Sequence, residues 1–317
     1  MIADDLRHID YSALAISDYS RTYILRLLPH LDYYLDIYNR CITQLLSILQ
    51  RTPESLTVVD YGGGHGFLSC LLKQRGFGTV IYIDYNPQAV ETIHAIKQQL
   101  GYGPDIILQG DAAALGEWCR QRHTCPDGLL GMDVIEHIYR LDTFFDELYA
   151  IHPMPMIFTT GSTPYNPLVV HRLHKIMVAD EQGHGGQPGF YHLRRRYLAE
   201  HMPNLSCEQL DYWAQHTRGL QYGDLLEAVR SNTPFANNDP YNTCDPATGS
   251  WTERILPLSA YQELLTPHGA KVSLSNGFYN THRSGMKAIP SRLLNILLRS
   301  SCALLRPIAP FIQLTIV

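Results

Sequence analysis

The sequence predicts an α/β fold: a doubly wound, mostly parallel sheet of seven strands, with an N-terminal helical cap and an insertion before the sixth strand. Three observations carry this expectation. Short β-branched runs alternate with helical stretches from Leu56 to Thr160, the pattern of a parallel sheet threaded by right-handed crossovers. A glycine-rich turn at 60–66 joins the first of these runs to a helical one. An acid, Asp84, closes the second run, at the strand end where open α/β sheets hold their ligands.

Residues 1–52 form the predicted cap. Ile24, Leu27, Leu28 and Leu31, then Leu35, Ile37 and Tyr38, recur at helical spacing, and Pro53 ends the pattern. The core spans 53–161. Its strands are expected at Leu56–Asp60, Thr79–Asp84, Asp105–Leu108, Leu129–Met132 and Met156–Thr160, with helices at Phe67–Gln74, Ala89–Leu100 and Leu141–Tyr149. Region 162–258 is expected on the substrate side, with helices near Val169–Met177 and Leu193–His201. Its stretch from Gln209 to Trp251 reads as an insertion, because Asn237-Asn238-Asp239-Pro240 and Asp245-Pro246-Ala247-Thr248-Gly249 are turn chemistry. Segment 259–317 returns to the sheet, with a helix at Ser259–Leu265, a sixth strand at Ala270–Leu274 and a last strand at Phe311–Val317. Between these strands an amphipathic helix carries Leu293, Leu294, Ile296, Leu297, Leu298, Leu304 and Leu305, with Arg292, Arg299 and Arg306 at sevenfold spacing.

The chain of 317 residues is 45% hydrophobic and 17% charged, a composition that buries a core and excludes disordered and fibrous classes. A formal charge of −5 disfavours a protein that coats nucleic-acid phosphates. Seven cysteines without a C-x-x-C pair point to reduced thiols and a cytoplasmic location. The acidic start MIADDLRHID lacks a secretory pattern. The apolar stretch from Ser291 to Val317 is interrupted by Arg299, Arg306, Pro307 and Pro310. It is therefore read as packing on the sheet or a second subunit, with contact to an anionic bilayer as the alternative.

The turn reads Asp60-Tyr61-Gly62-Gly63-Gly64-His65-Gly66. Glycines let the backbone approach a ligand closely, and the helix that follows offers free N–H groups. The dinucleotide fingerprint would put its third glycine at Phe67. Glycines at 62, 64 and 66 after Asp60 instead resemble the D-x-G-x-G-x-G loop of class I S-adenosylmethionine-dependent methyltransferases. Asp84 suits the ribose hydroxyls. Gln109-Gly110-Asp111-Ala112 matches the segment that faces adenine in that family, although Asp111 taken alone reads as a helix N-cap. Asp133-Val134-Ile135-Glu136-His137-Ile138 is similar to the D-V-I-E-H-I segment of small-molecule methyltransferases such as those of ubiquinone biosynthesis. The resemblance covers Leu56 to Thr160 and the last strands. It implies a Rossmann-like methyltransferase fold and S-adenosylmethionine as cofactor, with S-adenosylhomocysteine as product. The implied cofactor contacts are Asp60, Tyr61, Gly62, Gly63, Gly64, Asp84, Tyr85, Asp111, Ala112 and Asp133.

Methyl transfer from a sulfonium is an in-line displacement that needs alignment and sometimes a base. His137, following the fourth strand, is the candidate base, and the expected acceptor is a phenolic, sugar or lipid-linked hydroxyl on a small molecule. A metal corner of Asp133, Glu136 and His137 completed by His184 or His192 is the less favoured alternative. It resembles the E-x-x-E-H site of small-RNA terminal 2′-O-methyltransferases, with Asp133 in place of the first Glu. A non-catalytic binding protein on the same fold is the third reading. Three further groups are candidates: Thr160-Gly161-Ser162-Thr163-Pro164-Tyr165-Asn166 for the substrate mouth, Arg194-Arg195-Arg196 for an anionic substrate group, and Tyr11 and Tyr19 for closing over the cofactor.

Overall fold

The computed structural model describes residues 2–282 and 289–317. The cap is built from α1 (Ile2–Arg7), α2 (Asp18–Leu27) and α3 (Leu31–Leu49), the last ending on Gln50 in the left-handed conformation. A strand–helix alternation follows: β1 (Thr57–Tyr61), α4 (Phe67–Gln74), β2 (Thr79–Asp84), α5 (Pro87–Leu100), β3 (Ile106–Gln109), α6 (Ala112–Arg122), β4 (Gly128–Met132), α7 (Leu141–Ile151) and β5 (Met156–Thr160). Helices α8 (Pro167–Gln182), α9 (Phe190–His201), α10 (Cys207–His216) and α11 (Tyr222–Arg230) come next. The chain closes with α12 (Leu258–Leu265), β6 (Val272–Asn276), α13 (Ile289–Leu298) and β7 (Ile312–Ile316).

The seven strands form one sheet in the order β3-β2-β1-β4-β5-β7-β6. All neighbours are parallel except β7, which runs antiparallel to β5 and β6. The winding direction reverses at β1, whose neighbours are β2 and β4, so the glycine turn leaves the sheet at its switch point. Side chains alternate between faces along each strand. Val58, Val80 and Tyr82 pack with Leu31, Cys41 and Leu45 of the cap, whereas Val59, Ile81 and Ile83 pack with Leu115, Phe145 and Leu148 on the other face. Both faces are therefore covered, which explains why these strands read as continuous apolar runs.

Three expectations need correction. Helix α6 is absent from the predicted elements: only Ala112, Leu115, Gly116 and Cys119 of it are buried, too thin a stripe to mark a helix. Within the supposed insertion, α10 and α11 are regular helices. The former starts on a capping box of Ser206 and Gln209, and with α9 the two enclose an apolar cluster around Leu198, Trp213 and Leu225. The turn chemistry begins only after them. The C-terminal amphipathic helix stops at Leu298, leaving Arg299 beyond its end and Arg306 in a separate 3₁₀ segment, Ala303–Ile308, that contains Pro307. The sevenfold arginine spacing thus does not describe one helical face.

Candidate active site

A cavity of about 950 Å³ opens at the carboxyl edge of the sheet, between the switch point and the cap. Asp60, Tyr61, Gly62, Gly63, Gly64, Asp84, Tyr85, Asp111, Ala112 and Asp133 all line it, as do Glu136 and His137.

The turn is shaped by steric necessity at two points. Gly66 caps α4 at φ 79°, and a Cβ there would lie 2.1 Å from Ile93 Cδ1; no side chain is compatible with both constraints. Gly64 sits at φ 53° beside open space, so the backbone itself forms the floor of the cavity. Its N–H donates to Asp84 Oδ2 at 2.9 Å, and Asn86 N–H donates to Asp84 Oδ1 at 2.9 Å. Each oxygen keeps a further lone pair, so the carboxylate is fixed in place while still able to accept hydroxyl donors. Asp60 is 1% exposed and accepts from Ser69 Oγ at 2.6 Å; burial raises its pKa to about 7. Asp111 caps α6, accepting from Ala114 N–H at 3.1 Å, so the capping role exists alongside its place at the cavity. Tyr85, 66% exposed, stands at the lip.

After β4 the chain turns sharply. Asp133 adopts φ 49°, a conformation that costs an L-residue about 1–2 kcal/mol and is concentrated at functional sites. Ile135–His137 form a single 3₁₀ turn. His137 Nδ1 lies 2.8 Å from the carbonyl of Trp251. A carbonyl only accepts, so Nδ1 carries the proton and the neutral ring keeps its lone pair on Nε2.

Three carboxyls converge here. Burial, reinforced by Glu253, lifts Asp133 to about 6, with His137 opposing. Burial followed by Asp133 and Glu253 lifts Glu136 well above the usual carboxylate range. Glu253 accepts a hydrogen bond from Ser162 Oγ. The cap closes this end of the cavity with Tyr19, Tyr23, Tyr34 and Tyr38, while Arg172 from α8 lines it as well.

The metal corner does not assemble. His184 is mostly exposed and its Nε2 pairs with Asp180 at 3.0 Å, and neither His184 nor His192 lines the cavity. Among the described residues no group of three or more His, Cys, Asp or Glu side chains is arranged to hold a metal ion. The arginine run is structural as well: buried Arg194 bonds Glu181 and the carbonyl of Ala214, and Arg195 pairs with Asp211. Tyr11 is buried in the core, donating to the carbonyl of Leu6, whereas Tyr19 does reach the cavity. Of the segment 160–166, Gly161 lines it, Ser162 orients Glu253, and Asn166 caps α8.

Sequence reasoning missed Tyr23, Tyr34, Tyr38, Arg172 and Glu253. The first three lie in the cap, where Tyr38 reads as part of the apolar stripe and only Tyr11 and Tyr19 are singled out among many tyrosines. Glu253 lies in a stretch without periodicity, where nothing marks one acid over another.

No family model matches the chain, and no curated protein matches it significantly. Solved structures do. Magnesium protoporphyrin IX methyltransferase from Synechocystis PCC 6803, with bound SAH, is 22% identical over 52% of this chain and 71% of its own, with a TM-score of 0.36. A SAM dependent methyltransferase from Archaeoglobus fulgidus is 13% identical over 90% and 98%, at 0.41. A mutant of MtNAS is 16% identical over 50% and 53%, at 0.34, so the chain spans about half of that structure. By its own strand order and its one reversed strand, the chain has the Rossmann-like methyltransferase fold.

Proposed function

We propose that the protein is an S-adenosylmethionine-dependent methyltransferase acting on the hydroxyl of a small molecule. The supporting observation is the convergence of Gly64, Asp84 and Asp111 on one cavity that continues past His137 beneath the cap. The cavity fits the cofactor: a Cβ at Gly64 would fill its floor, and the carboxylate of Asp84 is held where a ribose would need two acceptors. When bound, the cofactor supplies an electrophilic methyl on a sulfonium. Asp84 would hold the ribose, Asp111 and Ala112 the adenine, and the loop backbone the amino-acid end. With Nδ1–H committed to Trp251, the neutral ring of His137 presents the Nε2 lone pair, which would take the acceptor's proton. The tyrosines and the Thr248–Glu253 segment would exclude water and align the acceptor.

Calorimetric titration checks this directly. S-adenosylhomocysteine is expected to bind at about micromolar Kd and NAD not at all. Binding of NAD with no response to adenosylhomocysteine would overturn the reading.

We further infer that the protein docks reversibly on an anionic lipid surface through α13. No helix among the described residues is long and apolar enough to cross a membrane. Leu298 is the sole buried residue of α13, while Ile289, Leu293, Ile296 and Leu297 are at least half exposed. No acidic residue follows Glu263 in the sequence, so the exposed Arg292 and Arg299 lie in a wholly cationic segment. Apolar side chains beside unopposed arginines suit the headgroup boundary. The protein is expected to float with phosphatidylglycerol-containing vesicles and not with pure phosphatidylcholine, and Leu293→Glu with Ile296→Glu should abolish flotation. Equal recovery of the variant, or none of either, would remove the proposal.

A further inference from the structure

We propose that the methyl acceptor carries a basic nitrogen, held as an ammonium between the carboxyls of Asp133, Glu136 and Glu253 and the rings of Tyr23, Tyr34 and Tyr38. This rests on the methyl-transfer reading and adds the chemical class of the acceptor.

Three carboxyls line a single cavity, and among the described residues none of them has a lysine or arginine partner. Glu136 is 2% exposed and its Oε2 has no hydrogen-bond partner. A buried carboxyl oxygen without a donor is costly to keep, and Glu136 is among the residues that line the cavity. Of the cations that share the cavity, Arg140 is committed to Asp142, and Arg172 on α8 makes no ion pair with the cluster. His137 lines the cavity beside the cluster with its Nδ1–H committed to the carbonyl of Trp251.

The remaining wall is aromatic. Tyr23, Tyr34 and Tyr38 line the same cavity, and the charge of Asp133 raises the pKa of all three phenols, which places them within its electrostatic reach. Rings and carboxylates together attract an organic cation. An ammonium with several N–H donors would satisfy Glu136 Oε2 and oppose the mutual repulsion of the acids. A metal ion would need a compact donor set, which is not formed.

Binding of such a cation favours the ionised acids, so protons must leave. Burial raises Asp133 to about 6 and Glu136 well above its ordinary value, so both keep protons to higher pH than free carboxyls do. An ammonium lowers both pKa values and releases protons on association.

The test uses the full chain saturated with S-adenosylhomocysteine and a panel of amines from methylammonium to tyramine, each with its hydroxyl isostere, tyrosol for tyramine. Titrations are run in two buffers of different ionisation enthalpy. At least one amine should bind about tenfold or more tighter than its isostere, with proton release. Glu136→Gln combined with Glu253→Gln should erase that preference while leaving adenosylhomocysteine affinity unchanged, which also shows the variant to be folded. If adenosylhomocysteine binds but no amine outcompetes its isostere, this inference fails alone. If the double variant loses adenosylhomocysteine binding in parallel while remaining folded by circular dichroism, the cluster serves the cofactor's own ammonium and the inference is overturned. Failure of adenosylhomocysteine to bind the unmodified chain removes the methyl-transfer reading, and this one with it.

Discussion

Asp84→Ala is expected to lower affinity for S-adenosylhomocysteine by about a hundredfold or more. Hydrogen bonds to a charged acceptor contribute about 1.5–3 kcal/mol each, and two ribose hydroxyls would lose their acceptor together. The substitution also frees the N–H groups of Gly64 and Asn86, both of which donate to this carboxylate. Part of the loss would therefore come from a looser turn. Comparing adenosine with 2′,3′-dideoxyadenosine separates the two effects. The unmodified protein should prefer adenosine, and Asp84→Ala should bind both alike, because a loosened loop weakens both ligands whereas a missing ribose acceptor weakens one. A preserved preference in the variant would mean that the ribose lies elsewhere.

How much of this was legible in the sequence depends on the range of the interaction. The turn at 60–66 was readable because its constraint is local: positive φ and close approach demand glycine whatever lies around them. Thr79–Asp84 and Met156–Thr160 were placed to the residue, since strands buried on both faces must be apolar throughout. Helices α10 and α11 were hidden by the turn residues that follow them, and α6 by its thin apolar stripe. The acceptor end was the least legible part. Glu253 reaches the cavity from nearly a hundred residues beyond β5, oriented by Ser162, and His137 owes its tautomer to the carbonyl of Trp251. Such pairings exist only once the chain is folded. The arginine run misled for the same reason: Arg194 resembles a solvated or anion-binding residue until Glu181 and Ala214 are brought to it.

Asp60→Asn should remove a large part of the pH dependence of stability. In the folded protein burial raises the Asp60 pKa from 3.8 to about 7, with Ser69 and Asp84 as smaller influences. Its folded-state pKa lies above the unfolded one, so its contribution to stability is full below pH 4 and is lost as pH rises toward 7. Between those limits the native state keeps a proton that the unfolded chain has released, and each pH unit costs about 1.4 kcal/mol. Across the window this amounts to about 4 kcal/mol, a large share of a typical domain's stability. Asp133, raised to about 6, adds a decline of the same sign over a shorter window. His65 opposes them: enclosure beside Phe67 and Tyr23 lowers its pKa, so its contribution is lost as pH falls below 6.5. Asparagine keeps an acceptor for Ser69 Oγ without the ionisation, and comparison with the unmodified protein cancels the other groups. Urea denaturation of both proteins at pH 5, 6, 7 and 8 is the measurement. The variant should gain on the unmodified protein with each unit up to pH 7 and no further. Parallel curves would show that Asp60 is ionised in the fold, and the buried carboxyl would then have to be offset by hydrogen bonds stronger than the one from Ser69.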